Sequence, residues 1–445
     1  MMKKHLSLLS EKFKSNFFKS IFSTSILIGI SRFSGFLREV VYSAYLGTSR
    51  IMDGFLVAFL IPNFFRRILG ERAAESVFLP MYIREREKSE KDANDYMSIL
   101  FTTVSIILIF GIIVLYLFSP FILKILAPGF DKETFNISLK ITYIILPYMF
   151  FIGIYSFLGS LLESYKKFSL YNISPLLFNT VMVVAIPLFY KRSPILTISF
   201  SVLVGVIAQT AILFLGLKTL PIKYRFKISF KDERIIRTFH LLLPIIVASF
   251  IEKSAIYVDR IMGSILGIGA ISALHFSFLL TDLPFAVFSI AISKVIHPYI
   301  SEKEVYSSKN NFKNYINRGI ILNLIILLPI TLFFIIFAKS IIRIVYLRGE
   351  FNIQSLNMTY LPFIYYTLGL IPMGLIQIFS KGFYSLLNTK TPLYVSGFAM
   401  IINILLNIIL VPKFNIAGIA FATSLSYWIH SVYLYFKLKK SMERL

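Results

Sequence analysis

The chain has 445 residues, of which 57% are hydrophobic and 15% charged, with no cysteine and a formal net charge of +24. A mean hydropathy of +0.76 excludes the two or three soluble domains that the length alone would suggest, and without thiols there is no disulfide, thiolate nucleophile or cysteine-bound metal. The basic surplus sits in joints between apolar runs, where anionic headgroups and membrane topology account for it, so no nucleic-acid partner is expected.

Apolar runs of about 20 residues, each enough to cross the hydrocarbon as a helix, recur from end to end. They are continuous rather than alternating, which selects helices over a barrel. The expected fold is an all-α polytopic membrane protein of about twelve transmembrane helices. The first 19 residues read as a basic cytoplasmic lead-in, with Leu6, Leu9, Phe13, Phe17 and Phe18 on an apolar side. Spans follow near 20–46, 51–69, 97–123, 135–163, 170–190 and 194–216, then 236–266, 270–299, 315–338, 355–386, 393–411 and 415–436. They form an N-terminal six-helix bundle over 20–217, a basic cytoplasmic linker over 218–235, a C-terminal bundle over 236–437 and a basic tail over 438–445.

Alternate joints are basic, with Arg84, Arg86, Lys88 and Lys91 in one and Lys166 and Lys167 in the next. The linker adds Lys218, Lys223, Arg225, Lys227, Lys231, Arg234 and Arg237, and later joints and the tail continue the pattern. The positive-inside rule places both termini in the cytoplasm. Lys339, Arg343 and Arg348 are exceptions, in a joint expected outside.

The halves on either side of the linker repeat one another faintly. Leu46, Gly47 and Pro62 have counterparts in Leu266, Gly267 and Pro284, and Ser160-Leu161-Leu162 followed by Asn179 resembles Ser385-Leu386-Leu387 followed by Asn403. Halves with an even number of spans share one orientation, so the repeat is parallel, and two such bundles around a central cleft would give alternating access by rocking.

The stretch from Ser31 to Pro80 carries charges inside otherwise apolar spans: Arg32, Arg38 and Glu39 in the first, Asp53 opening the second, Asn63, Arg66, Arg67 and Glu71 closing it. An ion at bilayer depth costs at least about 2.5 kcal/mol and normally faces a partner or water. Guanidinium forks suit phosphate oxygens, so Arg32, Arg38 and Arg66 make a candidate diphosphate clamp. The competing reading is that Arg66, Arg67 and Arg72 snorkel to headgroups while Arg38 pairs with Glu39 or Asp53. In the seventh span, Asp259 and Arg260 fit a structural ion pair, a substrate contact or part of an ion site. With Asn403, Asn407 and Thr423, Asp259 offers oxygens that suit a hard cation, and interhelical hydrogen bonding by the asparagines fits equally. No P-loop, HExxH or nucleophile set is present, so an enzyme is not expected.

The segments SRFSGFLREVVYSAYLG, MDGFLVAFLIPNFFRRILGE, FLPMY and KGFYSLLNTKTPLYVSGFAMIINILLN closely resemble the MurJ (MviN) lipid II flippase family of the MOP exporter superfamily. The resemblance implies a MOP/MATE-like pair of bundles and a cargo of lipid II, an undecaprenyl-diphosphate-linked glycopeptide, moved from the cytoplasmic to the periplasmic leaflet of the inner membrane. It implies that Arg32, Arg38, Asp53 and Arg66 are cavity residues, with Asn63 and Glu71 close by, and that a sodium site maps to Asp259, Asn403, Asn407 and Thr423. Asn407 replaces an acidic ligand of some members. No cofactor is expected beyond sodium or another coupling ion. The expected partners are lipid II, membrane lipids and cell-wall synthesis enzymes, with the chain acting as a monomer. Another undecaprenyl-linked cargo (an O-antigen or capsule unit) and a non-transporting scaffold are the alternatives. The sequence departs from the family at Leu279, where an arginine is usual and for which Arg260 is a candidate substitute. It also stops after about twelve spans, whereas many members add two that form a groove for the lipid tail.

Overall fold

A computed structural model describes residues 27, 29–66, 76–229, 231–302, 305 and 308–443, with the side chains of 248 and 250–255 left outside that description. The lead-in over 1–19, and Arg67, Glu71 and Arg72, lie outside the described residues. Every expected span has a helical counterpart. Helix α1 covers 29–46 and is followed by α2 (Arg50–Ala58) and α3 (Leu60–Phe65). The break at Phe59 has a local cause: Pro62 has no N–H, and its ring would strike the Ala58 carbonyl four residues back. Next come α4 (Leu79–Lys88), α5 (Glu90–Leu126), α6 (Lys132–Ile145), α7 (Tyr148–Ser164), α8 (Phe168–Phe189) and α9 (Pro194–Leu217). Pro147 stands at the joint between α6 and α7, which meet at 42°.

The second half contains α10 (Glu233–Ile265), α11 (Ala270–Pro284), a π-turn over Phe285–Ser289, α12 (Ile290–Ile300), α13 (Lys309–Ile336) and the short α14 (Ala338–Tyr346). It closes with α15 (Ile353–Leu368), α16 (Leu370–Ser385), α17 (Lys390–Phe414) and α18 (Ile416–Met442). No strand occurs among the described residues. Among the described residues seven spans are long and apolar enough to cross a membrane, namely α5, α8, α9, α13 and α17 alone, α11 with α12 and α15 with α16 taken as continuous, or eight counting the bent α6 and α7 as one.

Helix α13 shows how the pattern inverts in lipid. Its buried stripe runs Phe312, Ile316, Gly319, Asn323, Leu327 and Thr331, while Ile321, Ile325, Leu332 and Ile336 are exposed. Lipid solvates the apolar side, so the polar Asn323 turns inward and donates to the Ile371 carbonyl at 3.3 Å.

Contacts divide the chain into two compact units. The first comprises 1–42, 58–120 and 139–246; the second comprises 43–57, 121–138 and 247–445. In the first, α9 packs against α7 and α8. In the second, α17 packs on α18 and α11 on α15, and Ile296, Phe312, Ile378, Phe383, Leu434 and Leu438 share one buried cluster.

Local geometry agrees at one pair of positions matched in the sequence and not at another. Gly47 and Gly267, paired in the sequence, both take positive φ, at 50° and 100°. The two Ser-Leu-Leu matches are out of register with the turns beside them. Helix α7 ends with Lys167 N–H on the Leu162 carbonyl and Lys166 N–H on Glu163, and α16 ends with Asn388 on Phe383 and Leu387 on Tyr384. These are the paired bonds of a Schellman turn, with φ of 61° at Lys166 and 56° at Leu387. The turns align Leu162 with Phe383, four residues before Leu387.

Two of the three basic exceptions have structural partners. Lys339 lies over the Tyr360 ring at 4.8 Å, and Arg348 donates to the Ile344 carbonyl at 2.5 Å, where a cation offsets the exposed carbonyls of a helix end.

Candidate functional site

Arg38 is the centre of a built polar cluster in the first unit. Its Nη1 donates to Asn179 Oδ1 at 3.0 Å and its Nη2 to Glu39 Oε1 at 2.6 Å. The guanidinium also lies 5.6 Å from the Tyr42 ring centroid and 5.7 Å from that of Phe178. Asn179 is itself fixed by donating to Ser34 Oγ at 2.8 Å, so α8 sets the direction of the fork. Glu39 is buried, and the Arg38 side chain keeps 24% of its surface open. The Glu39 pairing raised by the sequence is thus present, and Arg38 Nε is buried with no hydrogen-bond partner among the described residues.

Arg32 is exposed on α1. On α3, Arg66 donates through Nε to Asn63 Oδ1 at 3.0 Å, with both residues half-buried. An aromatic path connects the two clusters. Phe178, beside Arg38, stands edge-on to Tyr148 at 6.2 Å, and Tyr148 stands edge-on to Phe59 at 5.5 Å, just ahead of α3. Glu71 lies outside the described residues.

Asp53 belongs to the second unit, where it caps a helix distant in sequence. Helix α11 begins at Gly269, which has no side chain to accept from its own first turn. Asp53 fills that role, accepting from Gly269 N–H at 2.5 Å, from Ser272 N–H at 2.8 Å and from the Ser272 hydroxyl. First-turn N–H groups have no partner within the helix and favour negative charge. Segment 43–57 is pinned twice more: Glu350 N–H donates to the Ala44 carbonyl at 2.8 Å, and the Thr48 and Ser355 hydroxyls meet at 2.8 Å. Gly47 and Gly349 permit this approach. Both have positive φ, and a Cβ on either would strike the facing main chain, at Glu350 and Ala44 respectively.

Arg260 is buried, donating through Nη1 to the Ile271 carbonyl at 2.7 Å, with Nη2 3.4 Å from His275 Nδ1. Its neighbour Asp259 faces a different cluster. Asp259 accepts from the Tyr366 hydroxyl at 3.0 Å and the Thr423 hydroxyl at 3.1 Å. Asn403 donates to Thr423 Oγ1 at 3.1 Å, and Asn407 Nδ2 donates to the Asn403 carbonyl at 2.9 Å. All four expected ion-site residues are therefore contiguous, and all are buried. Asn407 Oδ1 is buried with no hydrogen-bond partner among the described residues. An orphaned acceptor beside one carboxylate, hydroxyls and amides is a donor set that fits a singly charged hard cation.

Sequence reasoning did not assign roles to Tyr366, Ser272 or Gly269. Asn179 was marked by the repeat with Asn403, and both asparagines turn out to organise a polar cluster. Tyr366 carried only the faint signal of a hydroxyl in mid-span. Ser272 and Gly269 are recognised only through a partner more than 200 positions away.

The family profile described as Lipid II flippase MurJ matches residues 42–444. Among curated relatives, a probable lipid II flippase MurJ of Buchnera aphidicola subsp. Baizongia pistaciae is 30% identical over 437 residues, covering 96% of this chain and 84% of the relative. One of Rickettsia prowazekii is 30% identical over 424 residues, covering 94% and 83%. A solved structure titled as lipid II flippase MurJ in an inward closed conformation matches with a TM-score of 0.83 at 27% identity, covering 94% of this chain and 87% of that one. An inward-facing multidrug resistance MATE transporter of the MOP superfamily matches with a TM-score of 0.76 at 12% identity, covering 96% and 98%. That last likeness shows a shared fold.

Proposed function

The chain belongs to the lipid II flippase MurJ family, and on that premise we propose that it carries lipid II from the cytoplasmic to the opposite leaflet of the cytoplasmic membrane, with arginines of the first unit holding the diphosphate. The observation that carries the arginine assignment is the state of Arg38. Its fork is aimed by Asn179 and paired with Glu39, while the side chain as a whole keeps 24% of its surface exposed. A guanidinium fixed in this way binds phosphate oxygens without first having to be ordered. Arg66, oriented by Asn63, and the exposed Arg32 supply further positive charge for a group that carries two negative phosphates.

Both termini face the cytoplasm on this reading. Segment 43–57 is bonded to the starts of α11 and α15 within the second unit. Asp259, Asn403, Asn407 and Thr423 would hold a coupling cation such as sodium, which supplies a positive charge that neutralises Asp259. Tyr366 and Thr423 orient that carboxylate.

The test is growth and lipid II exposure in cells that depend on this gene. Arg38→Ala and Arg66→Ala should each leave lipid II on the cytoplasmic leaflet while the protein remains in the membrane. Normal growth and normal exposure with either variant would remove that arginine from the clamp.

A further inference from the structure

The linker between α9 and α10 is strongly basic, yet it is a docked strap rather than a loose tether. Residues 221–229 run without helix or strand along α5. Lys223 N–H donates to Asn94 Oδ1 at 3.0 Å, Arg225 N–H donates to Ser98 Oγ at 3.1 Å, and Asn94 Nδ2 donates to the Pro221 carbonyl at 3.4 Å. Tyr224 reaches furthest, its hydroxyl 2.9 Å from Thr102 Oγ1 and its ring edge-on to Phe101 at 5.4 Å. The strap then returns, with Lys227 on Asp95 at 3.1 Å and Arg234 Nη1 3.5 Å from the Asp92 carbonyl.

The turning point therefore lies well along α5. At a rise of ~1.5 Å per residue, Thr102 stands about 15 Å beyond Asp92, inside the apolar run expected to begin near residue 97. On the returning limb, between the Ser98 and Asp95 contacts and beyond them, Phe226 is 74% exposed and Ile228 45% exposed. From 218 to 231 the chain carries five basic side chains and no acidic one.

We propose that this strap is an interfacial wedge that takes anionic phospholipid from the leaflet on its own side. Phe226 and Ile228 enter the boundary between headgroups and acyl chains, and Lys223 and Arg225 hold the lipid phosphates. Apolar side chains flanked by cations are the composition of segments that lie in an anionic interface. Long basic side chains reach from an apolar stem to the headgroup level. Lys227 is already tied to Asp95, which leaves Lys223 and Arg225 for lipid. Their main-chain N–H groups, not their side chains, bind α5, so exchanging the side chains keeps the strap in place.

The test uses the full-length protein in vesicles. Trp428 is the sole tryptophan, so Trp428→Phe with Phe226→Trp gives a single reporter at the wedge. Its fluorescence should be quenched by lipids brominated along the acyl chain, at least about twofold more by brominated phosphatidylglycerol than by the same mole fraction of brominated phosphatidylcholine. Adding K223Q and R225Q should remove that preference while quenching persists. A reporter quenched by neither lipid would place the strap in water and overturn the proposal. Equal quenching by the two lipids, or a preference unchanged in K223Q/R225Q, would overturn the selection of anionic lipid. As an independent readout, the ratio of phosphatidylglycerol to phosphatidylethanolamine co-purifying with the protein of natural sequence should exceed that for K223Q/R225Q, and equal ratios would count against the proposal.

Discussion

Asp53 and Arg260 hold the first turn of α11 by opposite poles. The carboxylate accepts the N–H groups of Gly269 and Ser272, and the guanidinium donates to the Ile271 carbonyl between them. Asp53→Asn keeps the shape but turns an amide NH2 or a neutral oxygen toward helix N–H groups, removing the charge they favour. The expected cost to the closure of segment 43–57 on α11 and α15, called the latch, is about 1–2 kcal/mol, or roughly a fivefold to thirtyfold change in its closed-to-open ratio. Because the natural chain has no cysteine, Thr48→Cys with Ser355→Cys reports the latch directly. Oxidative cross-linking should be fast in that background and slower once Asp53→Asn is added. Unchanged cross-linking would show that Asp53 does not hold the latch.

Arg38 and Glu39 require a design that separates folding from transport. Arg38→Ala leaves Glu39 buried without its cation, which costs up to about 3 kcal/mol for a pair this enclosed. Replacing both partners by apolar residues of similar size, Arg38→Met with Glu39→Leu, removes that penalty. The double variant should recover most of the thermal stability lost in Arg38→Ala and still fail to expose lipid II. Recovery of both properties would make Arg38 a structural residue. Asn179→Ala should lower flipping and cost about 1–3 kcal/mol of stability, since it leaves Arg38 and Ser34 without their buried amide partner.

Much of the fold was legible because a bilayer imposes a length rule: each expected span, over its described residues, is helical for most of its length, and the break at Phe59 is written in Pro62. The grouping of Asp259, Asn403, Asn407 and Thr423 was raised by oxygen-bearing side chains in apolar spans and by family resemblance, because no spacing within one helix reports a site made by three. The role of Asp53 was not legible. A carboxylate in an apolar span advertises a need for polar company, but nothing local says that the company is the start of α11. Arg260, raised as a substitute for the usual arginine, is buried with its Nη1 on the Ile271 carbonyl, a partner that nothing local in the sequence announces.

The strap has a pH-sensitive fastening where it meets α10. The Arg234 guanidinium clasps Asp232 through two hydrogen bonds, at 3.0 and 2.7 Å, and holds that carboxyl below its ordinary value. A carboxyl depressed in the folded state contributes stability that is present at neutral pH and lost as pH falls through its folded value. Hydrogen-exchange protection of the Arg225 amide, corrected for intrinsic rate, should therefore be flat from pH 7 to about 5 and fall in more acidic buffer. Asp232→Asn should lower protection throughout and abolish the step. A step that survives in Asp232→Asn would assign the titration to another carboxyl.

The cluster around Asp259 makes its own prediction, independent of transport. A cation bound only by the folded protein raises stability by RT ln(1 + [L]/Kd), about 2.7 kcal/mol at a hundredfold excess over Kd. At constant ionic strength, replacing choline by sodium should raise the Tm of the purified protein by a few degrees. Asp259→Asn should abolish the increment, because the site then holds amides and hydroxyls with no negative charge to balance the ion. Asn407→Ala should reduce it by removing the buried Oδ1 that has no hydrogen-bond partner among the described residues. Asn407→Asp adds a second carboxylate on the same helix face as Asn403. It should raise cation affinity about tenfold or more and shift preference toward divalent ions, since ligand charge count sets affinity in oxygen sites. A Tm indifferent to sodium in the natural sequence, with the same indifference in Asn407→Asp, would leave the asparagines as interhelical hydrogen-bonding groups and require another source of energy for uphill movement.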